Sequence, residues 1–107
     1  MKIAIASLGQ DLNSKVSPHF GRAPYFIFAE IENNVLKKIE IKKNLFITSH
    51  EYGVIPGQMI DNNVDLVICA GIGERAQNHL ERAGIRVCKV PIISVKDALE
   101  QQGVDLK

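Results

Sequence analysis

Two short runs constrain this chain more than any other feature: Ile3–Ala6, apolar throughout, and Val64–Ala70 (VDLVICA), apolar except for Asp65. A strand wetted on one face alternates polar with apolar residues, so runs without alternation belong to strands covered on both faces. The first predicts a strand at 2–7, bounded by Gly9. The second is broken by Gly71-Ile72-Gly73, after which Ala76, Leu80 and Ala83 fall at helical spacing until Gly84. Strand, glycine turn and helix form a βα unit, which places the chain in the α/β class with helices expected on both faces of a sheet.

Between these runs the period changes. Tyr25, Ile27, Ala29 and Ile31 alternate with Phe26, Phe28, Glu30 and Glu32, then Asn33-Asn34 intervenes, and Val35, Ile39 and Ile41 resume against Leu36, Lys38, Glu40 and Lys42. Asparagine tolerates the left-handed backbone of a tight hairpin turn, so strands 2 and 3 are antiparallel, the lysine-rich third being a protected edge. Ile55, Met59 and Ile60 predict one face of a short helix with Pro56 in its first turn. A fifth strand is expected at 85–90. Ser94 with Asp97 resembles a capping box opening a last helix that stops at Gly103. A hairpin followed by two right-handed crossovers gives a five-stranded mixed sheet in the order 3-2-1-4-5, with strand 2 antiparallel.

A chain of 107 residues with 46% hydrophobic content has the size and apolar content of one domain, taken here as residues 1–107. Thirteen basic residues against 12 acidic ones leave a net charge of +1, so no whole-chain field favours nucleic acid or an anionic membrane. Neither a signal peptide nor a membrane span is visible in the pattern, and both cysteines, Cys69 and Cys88, lie in apolar runs rather than a disulfide framework. A soluble, cytoplasmic domain is the expectation.

In the 3-2-1-4-5 order, strands 1, 3, 4 and 5 point the same way, so the connections at 8–23, 44–54, 71–74 and 91–93 gather on one edge, where open α/β sheets bind ligands. The segment Ser17-Pro18-His19-Phe20-Gly21-Arg22-Ala23-Pro24 concentrates chemistry there. His19 can ligate a metal or bind an anion, Arg22 offers a planar fork of donors, and Gly21 permits close backbone approach; the bland alternative is that both side chains serve loop carbonyls. His50 belongs to the connection after strand 3 and reads either as a second candidate metal ligand or as an exposed, idle histidine. Gly71-Ile72-Gly73-Glu74 opens a helix whose free N–H groups could hold an anion, although glycines there can also serve only to turn the chain. Cys69, near the open end of its strand, is the better placed thiol, but both cysteines read as small hydrophobes. His79 reads as a surface residue of its helix.

Taken together, MKIAIAS, VSPHFGRAPYF, the histidine-containing loop at 49–53, VDLVICAGIGERA and LERAGIRV resemble the dinitrogenase iron-molybdenum cofactor biosynthesis family over nearly the whole chain. The resemblance implies a ribonuclease H-like three-layer α/β/α fold and a non-enzymatic accessory role in nitrogen fixation, binding and carrying an iron-molybdenum cofactor or a precursor iron-sulfur cluster. It marks His19, Gly21 and Arg22 as ligand residues, with His50, Gly71 and Gly73 as further candidates. It also implies cofactor-assembly or acceptor proteins as partners. Glu51 and Tyr52 depart from the smaller residues expected after His50, and the CxxxCxxC motif of the larger cofactor-assembly enzyme is absent.

Two other function classes fit parts of the pattern. A metal-dependent hydrolase acting on a phosphate-containing substrate would need several carboxylates. Asp11 and Glu74 are the acids near the proposed edge, since Asp65 starts its strand and should face away. A small regulatory or protein-interaction domain would use the same loops only as polar contacts.

Overall fold

The computed structural model describes residues 1–47 and 53–106. Its strands are β1 (Lys2–Ser7), β2 (Tyr25–Glu32), β3 (Val35–Lys43), β4 (Leu66–Cys69) and β5 (Arg86–Lys89), in the sheet order β3-β2-β1-β4-β5. β1 runs antiparallel to β2 and parallel to β4, β3 is antiparallel to β2, and β5 is parallel to β4. The expected mixed sheet is therefore the observed one. Helices α1 (Val54–Asp61), α2 (Glu74–Arg82) and α3 (Val95–Gln101) accompany the sheet, with a 3₁₀ turn at Phe20–Arg22.

β1 shows why its run lacks polar residues. Ile3 and Ile5 point into a cluster with Val95, Ala98 and Leu99 of α3, whereas Ala4 and Ala6 point into a second cluster with Met59 of α1 and Leu80 of α2. Helices thus cover both faces. Ala4 pairs with Phe28 and Ala6 with Phe26, so small residues on the central strand leave room for large ones beside them. Phe20, from the 3₁₀ turn, fills the remaining space against Phe26, with ring centroids 5.4 Å apart. That anchors the segment bearing His19 and Arg22.

The hairpin turn is as expected, with Asn33 and Asn34 both at positive φ, 54° and 65°. Ser94 accepts a hydrogen bond from the Asp97 N–H at 3.0 Å and caps α3. β4 is shorter than the 64–70 run, because Asn63 turns the chain at φ 58° and the Val64 N–H returns to the Met59 carbonyl, so the ladder with β1 begins at Leu66. β5 is trimmed to Arg86–Lys89. In α1 the apolar face differs from expectation: Pro56 and Met59 are buried while Ile60 remains 38% exposed. β3 is an exposed edge, its Ile39 and Ile41 38% and 37% accessible, and only its start is covered, by a bridge from Val35 to Asp105. No helix among the described residues is long and apolar enough to cross a membrane.

Candidate functional site

The long first connection is far more ordered than its sequence suggests. Val16 is fully buried; Ser7 bridges Val16, and Lys15 bridges Ser94. Backbone bonds from the Val16 N–H to the Ile93 carbonyl and from the Val95 N–H to the Ser14 carbonyl, each 2.8 Å, tie its first half to the connection after β5. Its second half is bound to β1 through Ser17, whose N–H donates to the Ala6 carbonyl at 2.8 Å. The buried Ser17 hydroxyl then donates to the His19 carbonyl at 3.1 Å and accepts from the His19 N–H at 3.4 Å. The backbone of His19 is held while its imidazole stays exposed.

The glycine turn after β4 meets this segment directly. The Phe20 N–H donates to the Gly71 carbonyl at 2.8 Å. A Cβ placed on Gly71 would lie 2.5 Å from the Pro18 carbonyl oxygen and 4.0 Å from His19 Nδ1. Gly71 is thus required by packing, since no side chain fits between the two loops, and its role differs from an open backbone approach to ligand. Gly21 and Gly73 are the open positions, with nothing within 4 Å of an added Cβ. Gly73 is the N-cap of α2, so the free N–H groups of that helix follow the glycine turn that meets the His19 segment. Glu74, in the first turn of α2, faces solvent.

Arg22 ends the 3₁₀ turn and is exposed, and its guanidinium makes no hydrogen bond or ion pair among the described residues. Hence the bland reading of Arg22 as a partner for loop carbonyls does not apply. That role belongs to Asn44, which no motif singled out. Its Nδ2 donates to the Ala23 carbonyl at 2.9 Å and the Gly21 carbonyl at 3.4 Å, and its Oδ1 accepts from the Phe46 N–H at 2.9 Å. The available signal was an asparagine at a strand exit, where an Asx turn is favoured.

The remaining candidates divide. His50 lies outside the described residues. Gly53, at the far end of its connection with φ 85°, sits against α2, where an added Cβ would come 3.0 Å from His79 Cε1. Cys69 is fully buried on the α1 and α2 side, and Cys88 packs toward α3, so the two thiols occupy opposite faces of the sheet. Burial pushes the Cys69 thiol up to about 11, with Lys89 partly opposing and Cys88 reinforcing the shift. Buried and protonated, Cys69 packs as a small hydrophobe. Among the described residues no three of His, Cys, Asp and Glu are grouped to hold a metal ion. Asp65 stands at the opposite end of the sheet, accepting the Lys2 N–H at 2.8 Å.

Comparison with known proteins places the chain in a family. The model of the family described as dinitrogenase iron-molybdenum cofactor matches residues 1–103. The chain belongs to that family. An uncharacterized protein of Methanocaldococcus jannaschii is 33% identical over 90 residues, covering 82% of this chain and 76% of the relative. The NMR structure of a NifB-like protein from Thermotoga superposes with a TM-score of 0.80 at 29% identity, covering 94% of this chain and 85% of that one. The apo form of the orange protein from Desulfovibrio gigas shares the fold, with a TM-score of 0.83 at 24% identity, covering 99% and 92% of the two chains. As a dinitrogenase iron-molybdenum cofactor family member, the chain is linked to the biosynthesis or binding of that cofactor. Of the positions singled out in the sequence, His19, Gly21 and Arg22 share the segment whose Pro18 meets Gly71.

Proposed function

We propose that this chain is a non-enzymatic binding protein that carries an iron-molybdenum-type or other metal-sulfur cofactor, or a precursor cluster, on the edge formed by the 17–23 segment and the 71–73 turn. The observation that carries this reading is the contact between Pro18 and Gly71, which sets the exposed His19 imidazole beside the glycine turn that leads into α2. An anionic cluster suits such an edge: imidazole supplies a metal ligand, the unengaged guanidinium supplies hydrogen-bond donors, and helix-start N–H groups supply positive potential. Gly21 and Gly73 leave open space for it. Family membership supports the choice of cargo. His50 is proposed as a second imidazole for the same cluster. The layered arrangement and the sheet order support the ribonuclease H-like assignment.

Transfer requires a donor or an acceptor, and Leu8, Leu45 and Ile92, exposed at 47%, 77% and 52% in connections on this edge, favour a cofactor-assembly or acceptor protein as partner in the cytoplasm. The test is anaerobic titration of the apo-protein with isolated iron-molybdenum cofactor and with tetrathiomolybdate, followed by visible absorbance and metal analysis. A stoichiometric chromophore is expected, weakened in His19→Ala and in Arg22→Ala. Unchanged affinity in both variants would show the site to be elsewhere. Metal-dependent cleavage of a nucleic acid, lost in Asp11→Asn, would establish an enzyme instead.

A further inference from the structure

Asn44 is a polar residue only 4% exposed, and among the described residues its side-chain hydrogen bonds all go to segments that meet on the proposed ligand edge. Its two donated bonds reach the Gly21 and Ala23 carbonyls, which flank Arg22 in sequence. Its accepted bond, from the Phe46 N–H, shapes the first turn after β3. Its own N–H donates to the Pro24 carbonyl at 2.9 Å, closing the β2–β3 ladder. One residue therefore joins the segment that carries Arg22 to the connection that leaves β3.

The 3₁₀ turn alone cannot fix Arg22. Its closing bonds are long, 3.2 Å from the Arg22 N–H to the His19 carbonyl and 3.4 Å from the Ala23 N–H to the Phe20 carbonyl. With its guanidinium unengaged among the described residues, the direction of Arg22 depends on how firmly its backbone is held. Phe20 anchors one side of the turn in the core, and Asn44 anchors the other.

We propose that Asn44 is the positioning residue of this edge, holding the Arg22 segment and the start of the β3 connection in one fixed relation so that they meet an anionic ligand as a preformed unit. This rests on the binding role proposed above. Asparagine suits the task because its amide presents donors and an acceptor from one short side chain. Aspartate keeps the acceptor for Phe46 but turns an oxygen toward two carbonyls. Asn44→Asp thus separates the two halves of the function.

Amide hydrogen exchange of the ligand-free protein, read by NMR, tests the mechanical half. In Asn44→Asp the Arg22 and Ala23 amides are expected to exchange about tenfold faster, as for the loss of a buried hydrogen bond, while the Phe46 amide keeps its protection. Asn44→Ser, which retains one hydroxyl donor, should lie between. Tetrathiomolybdate titration tests the functional half through a mutant cycle. Asn44→Asp should lower affinity about tenfold in the otherwise native chain and change it by less than about twofold when Arg22→Ala is already present. Unchanged exchange at Arg22 and Ala23, or equal affinity losses in both backgrounds, would overturn the proposal. If the native chain takes up neither tetrathiomolybdate nor cofactor, the binding role fails, and the exchange result alone decides whether Asn44 orders the turn.

Discussion

The two ends of the sheet are built on opposite plans. At the amino end of β1, Met1, Lys2, Glu30, Glu32, Lys37 and Asp65 line an open hollow of about 330 Å³, part of whose rim is tied up through the backbone. Lys2 and Asp65 are bonded through the strand backbone, and the Met1 ammonium donates to the Ile31 carbonyl at 3.0 Å. At the carboxyl end, backbone is stitched to backbone by Ser17, Gly71 and Asn44, while His19 and Arg22 are left exposed. Concavity and readiness for a ligand are different properties. Held backbone beneath unengaged side chains is the stronger mark of a recognition surface.

The sharpest way to break that contrast uses two glycines of one turn. Gly71→Ala should cost about 1–3 kcal/mol in a denaturant melt, because the added methyl meets a backbone carbonyl that cannot rotate away. Gly73→Ala, opening onto free space at φ −70°, should stay within about 0.5 kcal/mol. Equal losses would mean that the two loops are not in contact.

Cys69 ends β4 just beneath the same turn, and its burial there raises its pKa. The folded state holds this proton more tightly than the unfolded state does. Its contribution is therefore complete below about 9 and declines as pH rises toward about 11. Stability should fall by on the order of 2 kcal/mol across that window, a slope absent from Cys69→Ala in pH-dependent urea melts.

His19→Ala and Arg22→Ala should each reduce tetrathiomolybdate affinity about tenfold while moving the thermal midpoint very little, since neither side chain supports the fold. A large drop in stability would return them to structural service. At the opposite end, Glu30→Gln and Lys37→Ala should leave uptake unchanged and alter stability by less than about 0.5 kcal/mol, checked by the same titration and melt. Impaired uptake there would relocate the site to the hollow.

How much of this was readable in advance follows from the range of the interactions. The sheet order was legible because IAIA, LVIC and the Asn33-Asn34 turn each state a local requirement, and connection rules combine them. His19 and Arg22 were legible as chemistry concentrated in one segment. The burial of Val16 and the roles of Ser17, Gly71 and Asn44 were not, since each is decided by a neighbour distant in sequence, such as the 21 positions between Asn44 and Ala23. Gly71 shows the difference well: the sequence pattern marks it as special, but only the position of Pro18 explains why. Ile60 failed for a related reason, because helical spacing reveals a face without stating how wide a face the sheet will cover.

The Met1 ammonium rests on Ile31, and the Asp105 N–H donates to the Asn34 carbonyl at 2.7 Å, so both ends of the described chain converge on the β2–β3 hairpin. A fluorophore, purification handle or fused enzyme attached at either end would hang from the pole farthest from His19. Immobilised by a handle placed at that pole, the molecule would face solution with its loops outward.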